Sequence, residues 1–200
     1  MDNFVVGITG ASGSIYALRL IEELLRAQKQ VTILLTNAGR QVLAFETELT
    51  LAENPAECLR QLRHHFAADD LLRHYALNDF FAPVASGSSA PDALVICPCS
   101  MGTAGRIAAG LSDNLLERVA DVALKENKKL LLVPRETPFN QIHLENLLRL
   151  SKAGAQILPA MPGFYQQPQR VEDLVDFVVG KILDNLDVEH QLFKRWGSEK

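Results

Sequence analysis

Apolar residues along this chain gather into five short runs, each ending in small or polar residues and each followed by a stretch of helical periodicity. The first run, residues 3–8, breaks at Thr9 to Gly13 and resumes as an amphipathic pattern through residue 25, which predicts strand, tight turn and helix. Residues 30–36 are mostly β-branched or apolar, as expected of a strand covered on both faces of a parallel sheet. Further strands are predicted at 93–97, 129–133 and 155–158. Helices are predicted at 38–46, 55–73, 113–127, 140–152 and 171–186, with another running from the turn after 97 through 107. Strand alternating with helix predicts one α/β domain over residues 1–200. The expected form is Rossmann-like or flavodoxin-like, a mostly parallel sheet with helices on both faces.

Composition narrows the picture. A chain of 200 residues with 48% hydrophobic content suits one domain with a sizeable core. A formal net charge of -4 leaves no broad basic face, so no nucleic-acid partner is expected. No apolar run approaches membrane-spanning length and the N-terminus passes directly into the first strand, so a cytoplasmic protein without a membrane partner is expected. Cys58, Cys97 and Cys99 lack Cys-x-x-C spacing and read as reduced thiols; the five histidines are scattered, and no metal site is assigned.

The candidate chemistry lies where strands end. Gly10 and Gly13 permit a sharp turn and close approach of a ligand, and Ser12 can cap a helix whose free N–H groups and dipole suit a phosphate. Dinucleotide-binding folds carry an acidic residue at the end of the second strand and a Gly-x-Gly-x-x-Gly turn. Here Thr36-Asn37 stand at the first place and the middle glycine is missing at the second, which counts against NAD. Residues 93–97 run into Pro98-Cys-Ser-Met-Gly-Thr103, a second strand, turn and helix start. Ligands of open parallel sheets bind beyond the carboxyl ends of strands, so Ser12, Thr36 and Ser100 to Thr103 converge on one phosphorylated molecule, with FMN a better fit than a dinucleotide.

Other stretches admit two readings. Arg118, Asp121 and Lys125 share one helix stripe, either a solvated ion-paired face or a ligand clamp, but Arg135-Glu136 between Pro134 and Pro138 is placed for a ligand. Glu46 is a loop carboxylate or a site residue. Residues 78–91, rich in small side chains, form an ordered loop over a flat ring or a tight subunit contact. The proline- and glycine-rich loop 159–168 would hold Tyr165 rigidly, and Trp196 in the tail 187–200 suggests docking at a subunit interface.

Six motifs in order resemble the UbiX-type flavin prenyltransferases: Gly-Ile-Thr-Gly-Ala-Ser-Gly, Ala-Ser-Gly-Ser-Ser-Ala-Pro, Ile-Cys-Pro-Cys-Ser-x-Gly-Thr, Ala-Asp-Val-Ala-Leu-Lys-Glu, Val-Pro-Arg-Glu-Thr-Pro and Pro-Gly-Phe-Tyr-x-x-Pro. The resemblance spans nearly the whole chain. It implies transfer of a dimethylallyl group from dimethylallyl monophosphate to N5 and C6 of reduced FMN, without a metal. The product would serve a UbiD-type decarboxylase, as in ubiquinone biosynthesis, and the assembly would be a dodecamer with sites at subunit junctions. It assigns FMN to Gly10, Ala11, Ser12, Thr36, Ser100, Met101, Gly102, Thr103 and Arg135. It assigns the prenyl phosphate to Arg118, Lys125, Glu136, Tyr165 and Lys181, with Phe80, Tyr165 and Trp196 as aromatic faces for the cationic allyl fragment. Glu136 would deliver a proton to the phosphate; Ser12, Glu46 or the phosphate itself would take the C6 proton. Phe80 stands where several relatives have tryptophan, and Lys181 where arginine is common. Two alternatives remain: an FMN-dependent decarboxylase of the cysteine-decarboxylase type, whose motif asparagine is missing at Pro159-Ala-Met-Pro, and a noncatalytic flavin-binding protein.

Overall fold

A computed structural model describes residues 2–195. Six strands form one all-parallel sheet in the order β3-β2-β1-β4-β5-β6, from β1 (Asn3–Ile8), β2 (Gln30–Leu35), β3 (Leu72–His74), β4 (Ala93–Cys99), β5 (Lys129–Pro134) and β6 (Gln156–Ile157). Helices α1 (Ser14–Arg26), α2 (Asn37–Glu46), α3 (Pro55–Phe66), α4 (Met101–Ala108), α5 (Leu115–Lys125), α6 (Gln141–Lys152) and α7 (Val171–Asn185) connect and cover the strands. Strand β1 pairs with β2 on one side (Phe4 beside Val31) and with β4 on the other (Phe4 beside Ala93). The connections therefore diverge between β1 and β4, which opens a crevice at the carboxyl ends of those strands.

Two apolar layers hold the sheet. Helices α1, α3 and α7 pack on one face through Leu20, Leu24, Leu62, Val178 and Ile182. Helices α4, α5 and α6 pack on the other through Ala104, Leu116, Val119 and Leu147, together with Ala82, Val84 and Ala85 of the small-residue segment. Both faces are covered, which is why β1, β2, β4 and β5 read as unbroken apolar runs.

Two expected elements change. The helix expected over 55–73 is cut at Phe66, where Ala67 turns left-handed (φ 47°), and the chain then enters β3, which pairs with β2. Three residues at a sheet edge, with Leu72 and His74 buried and Arg73 exposed, are too short to print a periodicity. The last strand shrinks from 155–158 to two residues. Residues 186–195 turn back onto α7, burying Leu186 and Val188; Trp196, by contrast, lies outside the described residues. Among the described residues no helix is long and apolar enough to cross a membrane, and no cluster of three potential metal-ligating side chains occurs.

Candidate functional site

The two strand-end turns are joined through one buried side chain. Thr9, fully buried at the end of β1, donates its hydroxyl to the Pro98 carbonyl (2.7 Å) and accepts the N–H of Ser100 (2.8 Å). This fixes the turn after β1 against the turn after β4. The sequence reading gave Thr9 no role, and the available signal was a polar residue directly following a fully apolar strand. Arg135, just beyond β5, adds a third tie by donating Nε to the Ser12 carbonyl (3.2 Å). Gly10 to Gly13, Ser100 to Thr103 and Arg135 are thus assembled around one crevice.

The helix starts that face this crevice differ. Ser12 is not the cap of α1: the cap position is Gly13, at φ 108°, where glycine fits and a side chain is strained. The Glu46 carboxylate caps instead, accepting the N–H groups of Gly13 (2.9 Å) and Ser14 (2.8 Å) from the end of α2. Glu46 is therefore no loose loop group; it neutralises the positive end of α1. Burial pushes its carboxyl up, but the Ser12 hydroxyl and the N–H groups of Ser14 and Gly13 pull it further, to a net value below the usual 4.5. A depressed folded-state pKa adds stability above the unfolded value and loses it as pH falls through the folded value. The melting temperature of the wild type should therefore drop more steeply between pH 5 and pH 3 than that of Glu46→Gln (roughly the acid range of a glutamate), as differential scanning fluorimetry would show.

With α1 filled, helices α2 and α4 supply the open starts. Thr36 caps α2, accepting the Gly39 N–H (2.9 Å) and donating to the Ile8 carbonyl (3.3 Å), so its hydroxyl is already engaged. Ser100 caps α4, accepting the Thr103 N–H (3.2 Å) and sharing a bond with the Thr103 hydroxyl (3.0 Å). One of those two hydroxyl protons is used between them; the other is left for a ligand. Helix N–H groups, two hydroxyls and a guanidinium suit a phosphate monoester. The chemistry of this donor set therefore fits FMN.

The residues expected to meet a prenyl phosphate do not gather in one chain. Glu136 follows Arg135 at the crevice, half-buried, accepting the Thr137 N–H (3.2 Å). Arg118 and Lys125 project from α5, on the face of α4 and α6. Arg118 donates to the Ala85 carbonyl (3.1 Å) and pairs with Asp121 (2.9 Å), while Lys125 pairs with Glu126 directly over Gly87. Phe80 lies at the head of that small-residue segment, 44% exposed. Tyr165 and Lys181 sit with α7, on the opposite layer: Tyr165 packs edge-on against Phe177 (5.6 Å between centroids), and the Lys181 ammonium lies over Phe177 and Phe193. Arg118 and Lys125 thus stand on one side of the sheet and Tyr165 and Lys181 on the other. Elsewhere on the surface the large apolar side chains Phe45, Phe81, Ile142, Leu144, Leu148, Met161 and Phe164 are more than half exposed.

A family model described as Flavoprotein matches residues 2–183. The protein named flavin prenyltransferase UbiX from Halalkalibacterium halodurans is 52% identical over 198 residues, covering 98% of this chain and 94% of that one. Among solved structures, AnUbiX (PadA1) in complex with FMN and dimethylallyl pyrophosphate superposes with a TM-score of 0.88 at 35% identity, covering 100% of this chain and 99% of that one. A dodecameric FMN-dependent UbiX-like decarboxylase from Escherichia coli O157:H7 gives 0.87 at 36% identity, covering 98% and 100%.

Proposed function

The chain belongs to the flavoprotein family and, within it, to the UbiX-type flavin prenyltransferases; from that premise we propose how its residues divide the work of prenyl transfer. The observation that supports the division most is the asymmetry of the helix starts: Glu46 fills that of α1, while α4 keeps Ser100, Thr103 and nearby Arg135 for a phosphate. Reduced FMN, when bound, supplies the nucleophilic electrons that take up the dimethylallyl group. Gly10, Ala11, Ser12 and Thr36 line its position, Ser100, Met101, Gly102 and Thr103 hold its phosphate, and Arg135 closes the crevice.

The prenyl donor is dimethylallyl monophosphate. Breaking its allylic C–O bond leaves growing negative charge on the phosphate, which preorganised cations stabilise. Glu136 of one copy gives the phosphate a proton. Arg118 and Lys125 of one copy and Tyr165 and Lys181 of another complete the clamp, because one chain carries these pairs on opposite layers. Phe80, Tyr165 and Trp196 flank the cationic allyl fragment. The C6 proton leaves to Ser12, Glu46 or the phosphate. Such a site requires an oligomer, and the exposed apolar residues of α6 together with Phe45 and Phe81 supply contact surface for a dodecamer. The setting is the cytoplasm and the recipient of the product a UbiD-type decarboxylase, as in ubiquinone biosynthesis.

Anaerobic incubation of the protein with FMN, a reductant and dimethylallyl monophosphate, followed by mass spectrometry of the extracted flavin, tests this. A flavin heavier by one dimethylallyl unit, with release of phosphate, is the expected result. Unchanged FMN that stays tightly bound would instead point to a decarboxylase or a flavin carrier.

A further inference from the structure

The segment after α7 returns along that helix and seats Phe193 on it. A Cβ on Gly180 would lie 2.3 Å from Phe193 Cε1 and 2.8 Å from His190 Cε1, so the seat exists only because residue 180 has no side chain. Asp184, one turn on, secures the returning segment: its Oδ1 accepts from His190 Nε2 (3.2 Å) and Arg195 (2.8 Å). Its Oδ2 stands 4.0 Å from the Lys181 ammonium. That ammonium lies 5.2 Å from the Phe193 ring centre and 5.9 Å from that of Phe177, which pairs with Tyr165 in a T-shaped arrangement. An ammonium on a four-carbon stem has many rotamers; two aromatic faces and one carboxylate leave it few.

We propose that Phe193 is a positioning residue: seated on Gly180 and tied down through Asp184, it holds Lys181 over Phe177, the ring that Tyr165 also meets, so that the prenyl phosphate meets an already oriented cation. The proposal rests on the prenyl-transfer reading above and adds a residue that touches neither substrate nor flavin.

The test uses the full-length protein, with anaerobic initial rates against dimethylallyl monophosphate and a separate fluorescence titration of FMN. Phe193→Ala should raise KM for the donor about five- to tenfold, the size of one partly desolvated cation–π contact, with kcat and FMN affinity within about twofold of wild type. Phe193→Tyr, which keeps the ring face, should restore KM, and Phe193→Leu, which keeps only bulk, should not. Gly180→Ala unseats the ring without altering it and should raise KM in the same direction, which keeps the test open if Phe193→Ala misfolds. In a Lys181→Met background Phe193→Ala should add nothing, since its effect passes through the ammonium. An unchanged KM in folded Phe193→Ala, rescue by leucine, or additivity with Lys181→Met would overturn the proposal. Absence of prenyl transfer by the wild type would instead overturn the reading on which it rests.

Discussion

Glu136→Gln should keep its FMN and lose product: the expected fall in kcat is about two to four orders of magnitude, the usual worth of one positioned general acid. The residue stands directly after Arg135, which is anchored to Ser12, and its side chain accepts the N–H of Thr137. It therefore sits at the crevice without sharing in the bonds that join the two turns, so the amide can replace the acid with little change of shape. An amide cannot give up a proton to a departing phosphate. The readout is a pair of numbers, the flavin retained after gel filtration and the prenylated flavin formed in single-turnover mixing. Full retention with lost turnover supports the role, and wild-type turnover in the variant removes Glu136 from it.

The second large effect concerns shape alone. Gly39 lies in the first turn of α2, where a Cβ would come within 2.4 Å of the Ile8 carbonyl oxygen and 3.0 Å of the Thr36 hydroxyl. Ile8 ends β1 and cannot yield as a flexible side chain would, because Thr36 N–H and Thr36 Oγ1 both bond that carbonyl. Gly39→Ala must push the start of α2 away from the sheet and break the cap that Thr36 makes to the Gly39 N–H. Overpacking of this kind costs about 1–3 kcal/mol, and a lost cap adds about 1. A clear drop in melting temperature is expected, with a larger relative loss of FMN affinity, since the displaced turn carries Thr36, proposed above to line the flavin position. Wild-type FMN affinity in the variant would show that α2 does not shape that position.

Much was legible in the residues themselves. The apolar runs at β1, β2, β4 and β5 announced strands covered on both faces, because burial on two sides removes the polar alternation that an exposed face imposes. The small-residue turns after β1 and β4 announced a crevice, since only strand ends at a reversal of order leave backbone free for a ligand. The edge strand β3 was not legible: its three residues are fewer than a period needs, and the helix expected at 55–73 concealed it, whereas β6 was expected at 155–158 and found at Gln156–Ile157.

What the tertiary structure alone decided is which groups meet. Glu46 and Gly13 are 33 positions apart, and nothing in either neighbourhood says that a carboxylate ending α2 caps α1. Thr9 and Pro98 are separated by 89 positions and join because β1 and β4 are neighbours in the sheet. The family resemblance assigned Arg118, Lys125, Tyr165 and Lys181 to one phosphate, yet α5 and α7 cover opposite faces. Periodicity in a sequence reports how each element meets its own surroundings, and so it determined strands, helices and turns. Which element lies beside which depends on strand order and crossover, and that order alone put Arg118 and Lys125 on one face and Tyr165 and Lys181 on the other.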